Sequence, residues 1–575
     1  MPRPIRLVSF TLAWVVALGA CGPAAPTPTG SPAVPASASA VASGSPSAGA
    51  ACTPATTPEA HDWNDRTWYE VFVRSFADSD GDGIGDLRGL TSKLDYLNDG
   101  DPATTDDLGV GALWLMPVAE AASYHGYDVT DYEAVEQDYG TREDLDAFLA
   151  AAHERGIKVI VDLVLNHSSV DHPWFVASAS GADDKRDWYL WEDDKPSWLG
   201  PDGQVVWHPR DDDFYYGVFW EGMPDLNLRN EALTAELEDI ARFWLADVGV
   251  DGFRLDAAKH LIEDGPDAQT NTPDTRAWLT AFNAAAHAAR PDAMVIGEVW
   301  DPATIAGAYV PDSLDLTFDF GLAAAYRLAI QNGRSAPLRT ALGDTAAAWP
   351  PNQAGSFLAN HDQTRIMTEL RGDPAAAKLA AFLLLTGPGT PFLYYGEEIG
   401  MTGTKPDERI RTPMRWTADP STAGFTTGTP WQALSEDDAA SVNVEAQSTD
   451  ASSLLTAYRD LVRVRNGQEA LRRGTTTMLE ADVEPVAAWL RTTADSTVLA
   501  LANLSDEPVA AYSLSLADGP LCGRLTGSLL GSVGGDPGSS VTPPAVTPEG
   551  GVEAWTPIPE LAPRSGYLVE LVAAP

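Results

Sequence analysis

The stretch "GVDGFRLDAAKH", residues 249 to 260, begins as an apolar strand with Val250, Phe253 and Leu255, yet sets Arg254 and Asp256 two residues apart. Side chains alternate across a strand, so this guanidinium and this carboxylate face the same side. Lys259 and His260 follow them closely. Other apolar runs close in the same way. "DLVLNH" carries Asp162, Asn166 and His167, "GEVW" carries Glu298, and "FLANHD" ends in Asn360, His361 and Asp362. Any one cluster has a structural explanation, since a buried Asp capping a helix is common. Their convergence points to chemistry. Two carboxylates flanking a bond can cleave a glycosidic linkage, one as nucleophile and the other as acid. The nucleophile must be ionised, which Arg254 beside Asp256 would favour. The acid must keep its proton, and Glu298, following the apolar "MVI", is the candidate. Asp362, with His361 and His167, would hold sugar hydroxyls while the ring distorts.

These clusters need elements to bring them together. Candidate strands run over 67 to 76, 111 to 118, 158 to 165, 251 to 257, 294 to 299, 313 to 320, 355 to 360 and 391 to 398. Amphipathic segments separate several of them. "LTAELEDIARFWLADVG" carries Leu237, Ile240, Ala241, Trp244 and Leu245 at helical spacing. Strands alternating with helices imply a parallel sheet, and eight in succession predict an α/β fold, a (β/α)₈ TIM barrel. The polar clusters then fall at the C-terminal ends of strands, around one barrel mouth.

After the third strand the chain is irregular until "MPDLN" at 223. This insertion, over 167 to 222, holds Trp174, Trp188, Trp191, Trp198, Trp207 and Trp220. Long structured loops at this end of a barrel usually serve function, and aromatic rings there could stack on sugars, although a small core under the loop accounts for most of them. Beyond about residue 470, "VAAWLRTT", "TVLALANLS", "VAAYSLSL" and "GYLVELVA" read as short strands between turns. They predict a C-terminal antiparallel β-sandwich over 471 to 575, leaving 56 to 470 for the barrel.

The chain has 575 residues, 44% hydrophobic, with a formal net charge of −45 and three cysteines. Such a charge repels nucleic acid and anionic membranes, and no nucleotide, flavin or redox motif is present. Arg3 and Arg6 precede an apolar run from Leu7 to Ala20, too short for a membrane span. It ends in "LGAC", which resembles a bacterial lipobox. That resemblance implies a signal peptide over 1 to 21, a lipid on Cys21 as the membrane attachment, and a place outside the cytoplasm; ordinary secretory cleavage is the alternative. Residues 22 to 55, almost wholly Ala, Pro, Ser, Thr and Gly, are a flexible tether. An oxidising compartment permits a bridge between Cys52 and Cys522, with two free thiols as the alternative.

Taken in order, these segments resemble the conserved regions of the α-amylase family of glycoside hydrolases, from about residue 62 to the chain end. The resemblance implies that Asp256 is the nucleophile, Glu298 the general acid/base and Asp362 a transition-state stabiliser. It also implies that Arg254, His167, His361 and Tyr127 (from "YHGYDVTDY") line the subsite of the distorted sugar, and that Lys259 and His260 contact the leaving side. The insertion would be the family's B domain.

"DSDGDGIGDL" offers Asp78, Asp80, Asp82 and Asp86 with the Ile84 carbonyl, hard oxygen ligands suited to a structural Ca²⁺. It begins like an EF-hand, but the twelfth position is Gly89, which lacks the bidentate carboxylate. Similar loops in the family bind Ca²⁺; a solvated acidic turn is the alternative. Within the family, "MPDLN" and "RTPMRW" resemble the oligo-1,6-glucosidase and trehalose synthase side, whereas "KH" and "GEVW" resemble α-amylases. Family members that cap the non-reducing end carry an acid three residues before the tyrosine of "GYD"; here that position is Tyr124. The expectation is a monomeric, retaining endo-acting α-amylase on α-glucans: starch, glycogen and maltooligosaccharides. An exo-acting α-glucosidase or oligo-1,6-glucosidase, or a trehalose-forming isomerase, is the second expectation. A non-catalytic oligosaccharide-binding lipoprotein is the third.

Overall fold

The computed structural model describes residues 52–59 and 61–574. The expected signal peptide, Cys21 and most of the expected tether lie outside the described residues. Among the described residues no helix is long and apolar enough to cross a membrane.

Eight parallel strands close into a barrel: β1 (Trp68–Val71), β2 (Ala112–Leu115), β3 (Lys158–Leu163), β4 (Gly252–Leu255), β5 (Met294–Gly297), β6 (Leu316–Phe318), β7 (Ala354–Phe357) and β8 (Thr390–Tyr394). They pair in sequence order around the ring, β8 against β1. All eight expected strands are present, each shorter than its apolar run. The first run stops at Val71, and Val73–Phe76 turns into a helix instead. Pairing sets these limits: Tyr395 N–H donates to the Glu70 carbonyl just past β8, and the chain then leaves the ladder.

Strand alternation sorts the core into two. Trp68, Trp114, Ile160, Ile296, Phe318, Phe357 and Phe392 fill the barrel interior. Tyr69, Leu113, Val159, Phe253 and Val295 face outward into the large cluster under the helices. Arg254 pairs in register with Asp162 on β3 and Ile296 on β5, so it shares the interior face. Two residues earlier, Gly252 lets β4 approach β5 closely; a Cβ there would lie 2.0 Å from the Met294 carbonyl oxygen. The expected helix before β4 runs over Glu231–Arg242 and continues as a π-helical stretch, Phe243–Val248.

The segment between β3 and β4 holds a helix (Pro173–Ser180) and a small three-stranded sheet. Its tryptophans divide as expected. Trp188 and Trp207 are buried, whereas Trp220 is exposed.

The C-terminal strands form one seven-stranded antiparallel sheet. Its first strand, Thr475–Ala481, pairs with Val486–Thr492 along most of its length and with Leu514–Asp518 at its end. Both ladders contribute to one core, with Leu490, Leu501 and Val569 from one and Leu514, Val552 and Trp555 from the other. The opposite face, through Trp489, Ala500 and Leu568, joins the barrel cluster. Cys52 and Cys522 form a disulfide with a Cα–Cα distance of 5.7 Å, an ordinary span. The bridge ties residue 52 to this sheet.

Candidate active site

At the C-terminal end of the barrel a cleft of about 570 Å³ is lined by His125, Tyr127, His167, Asp256, Lys259, His260, Glu298, Asp362, Asp407 and Arg411 among others. Every residue expected to act on or contact the sugar except Arg254 and His361 lines it; those two are fully buried.

Arg254 is the hub. Its Nη1 donates to Asp162 Oδ1 at 2.9 Å and to Asp256 Oδ1 at 2.8 Å, and its Nη2 donates to Glu298 Oε2 at 2.5 Å. The strand ends explain this. Asp256 and Glu298 each stand one residue past their strands, so both carboxylates meet the guanidinium projecting from inside β4. Arg254 contacts Asp256 and favours its ionised form, as its place beside that carboxylate implied, but the one cation is shared by three carboxylates. Burial raises the Asp256 carboxyl, Arg254 lowers it, and the Asp162 and Asp362 charges raise it again, so it is pushed up to about 6. Glu298 is also raised, first by burial and then by Asp256 and Asp362, against the pull of Arg254.

A second network orders the other side. Burial alone would strip His361 of its proton, but the Asp362 and Glu70 carboxylates outweigh it and push the ring up to about 9. The charged ring therefore donates through Nδ1 to Glu70 Oε1 at 2.5 Å and meets Asp362 Oδ2 through Nε2 at 3.1 Å. Tyr127 OH lies 2.7 Å from the same Nε2 and donates to Asp162 Oδ2 at 3.0 Å, linking the two networks. Arg411 Nη2 donates to Asp362 Oδ1 at 2.8 Å, and its Nε donates to the His361 carbonyl at 2.9 Å. Burial would raise Asp362, but His361 and Arg411 hold it well below the usual carboxylate range.

His167 and His260 are both kept neutral by burial, lowered to about 3 and about 4. Lys259 Nζ donates to the Trp300 carbonyl at 2.8 Å and to Asp301 Oδ2 at 3.0 Å. The sequence reading missed Glu70, Asp407 and Arg411. Glu70 was detectable as a lone charge inside the apolar first strand. Asp407 and Arg411 sit on a short turn after β8 whose sequence has no periodicity to mark it.

Activity should follow these charges. As pH falls through about 6, Asp256 takes up a proton and loses nucleophilic character, so the acidic limb of kcat/KM should lie near pH 6. A limb below pH 4.5 would mean that Arg254 dominates after all.

The aspartate loop is a separate feature. Asp78, Asp80 and Asp86 bring carboxylate oxygens within 4.8 Å of one another. Asp82 stands beside that group, and its Oδ1 accepts the Ile84 N–H at 2.7 Å. Ile84 belongs to the turn through this backbone contact. No Lys, Arg or His pairs with Asp78, Asp80 or Asp86 among the described residues. Burial would raise Asp78, but Thr426 and the N–H groups of Gly81, Gly83 and Asp80 lower it below its ordinary value, so it is ionised at neutral pH. Three hard carboxylates without a protein cation fit Ca²⁺ in their donor chemistry.

Residues 70–474 match the family of the alpha amylase catalytic domain. The chain belongs to the α-amylase family of glycoside hydrolases. Alpha-amylase 3 of Dictyoglomus thermophilum is 38% identical over 444 residues, covering 76% of this chain and 84% of that protein. Trehalose synthase/amylase TreS of Mycolicibacterium smegmatis is 34% identical over 497 residues, covering 76% and 82%. The crystal structure of the alpha-amylase from H. orenii superimposes with a TM-score of 0.74 at 36% identity, covering 88% of this chain and 99% of that one. This glycoside hydrolase thus has both an amylase and a trehalose synthase among its relatives, and its activity within the family rests on the cleft itself.

Proposed function

We propose that this glycoside hydrolase is a retaining, endo-acting α-amylase that cleaves α-1,4-glucosidic bonds in starch, glycogen and maltooligosaccharides. The observation that carries the reading is the position of the carboxylates within the cleft. The lining includes Arg411 and Asp407, linked to Asp362, as well as Trp300, two residues after Glu298, with Phe219 and Trp220. A glucan chain can therefore extend on both sides of the cut. Tyr124, where a capping acid would stand, instead packs on Trp431 with ring centroids 5.3 Å apart.

Asp256 attacks the anomeric carbon while Glu298 protonates the departing oxygen. Water then opens the glycosyl-enzyme with Glu298 as base. Retention fits two carboxylates that both contact the guanidinium of Arg254, one at each terminal nitrogen. Asp362, held ionised, faces the positive charge that develops on the sugar. Neutral His167 and Tyr127 would hydrogen-bond its hydroxyls, and Lys259 and His260 the leaving side.

Asp78, Asp80 and Asp86 would hold a structural Ca²⁺. Excess chelator should then lower the melting temperature, as loss of a ligand bound at 100 times its Kd removes about 2.7 kcal/mol. An Asp86→Ala protein should no longer respond to chelator. The lipobox supports a lipid anchor on Cys21 outside the cytoplasm, with a monomeric enzyme at the end of the tether.

A second reading, an exo-acting α-glucosidase, oligo-1,6-glucosidase or trehalose-forming isomerase, is favoured by one observation. Arg411 grips both Asp362 and Asp407, at 2.8 and 3.3 Å, which narrows that end of the cleft. A time course on soluble starch separates the readings. Rapid loss of iodine staining with α-configured maltooligosaccharides of mixed length supports the endo-amylase. Glucose alone with staining intact supports the exo-enzyme, and conversion of maltose to trehalose the isomerase.

A further inference from the structure

The short helix Asp407–Ile410 serves two cavities. Asp407 and, just after the helix, Arg411 line the catalytic cleft, whereas Arg409 lines a separate cavity of about 670 Å³. The other walls of that cavity are segments 402–404 and 432–436 and the turn at Arg371. The two cavities have no lining residue in common.

The donors of the second cavity are left unused by the protein. Arg371 and Arg409 are exposed, and among the described residues no carboxylate pairs with either guanidinium. Acids nearby are engaged elsewhere: Asp407 pairs with Lys405 and Arg411, and Asp437 accepts from the N–H and the hydroxyl of Thr402. Thr412 is only 3% exposed and lines the cavity, yet its hydroxyl has no partner, and neither has the buried hydroxyl of Ser435. Both main chains are fixed. The Thr412 carbonyl accepts from Tyr395 OH at 2.8 Å, and the Ser435 carbonyl from Arg415 Nη1 at 3.2 Å. A buried hydroxyl without a partner is unfavourable, so two at one cavity call for an acceptor from outside. Arg371 is held in place against its backbone preference. It follows the helix Ile366–Glu369 in the left-handed region, at φ 59°, where glycine is the usual residue.

The lining selects the ligand. It contains no aromatic residue, so it lacks the ring face on which a neutral sugar stacks. Two unpaired guanidiniums with free hydroxyls suit a phosphate, which a guanidinium binds through paired N–H donors. The volume far exceeds that of a bare phosphate, and Gln432 and Glu436 continue the lining with groups that bind hydroxyls. The net charge of −45 disfavours a polyanion.

We propose that this cavity binds one phosphate monoester carried on a sugar, with the phosphate on Arg371 and Arg409 and the sugar hydroxyls toward Gln432 and Glu436. The carrier is a free hexose phosphate or a phosphorylated glucose unit of a glucan. The site is independent of the reaction in the cleft.

Titration calorimetry with glucose 6-phosphate at low salt tests this, with glucose and inorganic phosphate as controls. Glucose 6-phosphate should bind more tightly than either control, by about tenfold or more, and Arg409→Gln and Arg371→Gly should each weaken it by about tenfold, as expected for loss of a charge-assisted contact. Thr412→Val, which removes only the hydroxyl, should weaken it severalfold. Arg371→Gly relieves the left-handed backbone, so this variant should melt no lower than wild type and cleave unphosphorylated maltopentaose at the wild-type rate. A maltooligosaccharide phosphorylated at one C6 hydroxyl separates the two carriers. Tighter binding than glucose 6-phosphate, lost in the same variants, identifies the glucan; equal or weaker binding identifies the free hexose phosphate. No binding of either phosphorylated sugar, equal binding of a control, or binding that survives both arginine substitutions would overturn the proposal.

Discussion

Asp256→Asn is expected to lower kcat by roughly 10⁴-fold or more, because no other group in the cleft is placed to form the glycosyl-enzyme. Glu298→Gln should fall by about 10²- to 10⁴-fold on glucan substrates, the range for loss of a general acid. Both proteins should still bind maltooligosaccharide. Full activity in either would refute the assignment. Stability gives the sharper signature. The Asp256 carboxyl is pushed up to about 6 in the folded enzyme, whereas an unfolded aspartate ionises near about 3.9. The folded state therefore holds this proton more tightly. Its contribution favours folding at low pH and is lost as pH rises from the unfolded value through about 6. At pH 7 the wild-type enzyme carries a buried charge that the Asn protein lacks. The inactive variant should consequently melt no lower than wild type at pH 7. On going from pH 7 to pH 4 it should gain less stability than wild type, which recovers the Asp256 proton. A protein that melts several degrees lower at pH 7 would mean that the contact with Arg254 outweighs the cost of burying the carboxylate.

Arg254→Met should be the most disruptive single change. The guanidinium is fully buried and touches Asp162, Asp256 and Glu298. Removing it leaves three carboxylates facing one another with no cation between them. Breaking a buried ion pair from one side costs about 3–5 kcal/mol, and calorimetry or chemical unfolding would read it directly. Catalysis should fail as well, because Asp256 would lose its only lowering partner on the β4 side, and residual activity should shift to higher pH. Arg254→Lys separates charge from shape. A lysine restores one positive charge but lacks the planar fork that reaches Asp256 and Glu298 together. It should recover part of the stability and little of the activity. Equal recovery of both would mean that charge alone matters here.

The sequence by itself determined the barrel, because it is written in local signals. Apolar runs of strand length alternate with helical periodicity, as in 158 to 165 and 231 to 249, and those periods set which faces are buried. It likewise marked the carboxylates Asp256, Glu298 and Asp362, because each closes a segment that opens as an apolar strand and thus lands at the barrel mouth. Tertiary structure alone decided how their charges are shared. Coulombic interaction depends on distance in space and on burial, and neither is visible along the chain. Arg254 looked like a partner for Asp256 because the two stand two residues apart on one strand face; it is that partner, and it is shared with two further carboxylates because β3 and β5 flank β4. Glu70 reaches His361 through ring closure, which brings the first strand beside the eighth, while Arg411, itself paired with Asp407, reaches Asp362 from the turn that follows the eighth strand. Which of the loop's four carboxylates converge is a matter of the local turn, and Asp78, Asp80 and Asp86 do so. The seat of Trp220 on Gly222 and that of Trp300 on Phe320 are likewise packing results. The sequence offered the tryptophans of the insertion either to a small core or to a sugar; only the folded chain decided which of them face the cleft.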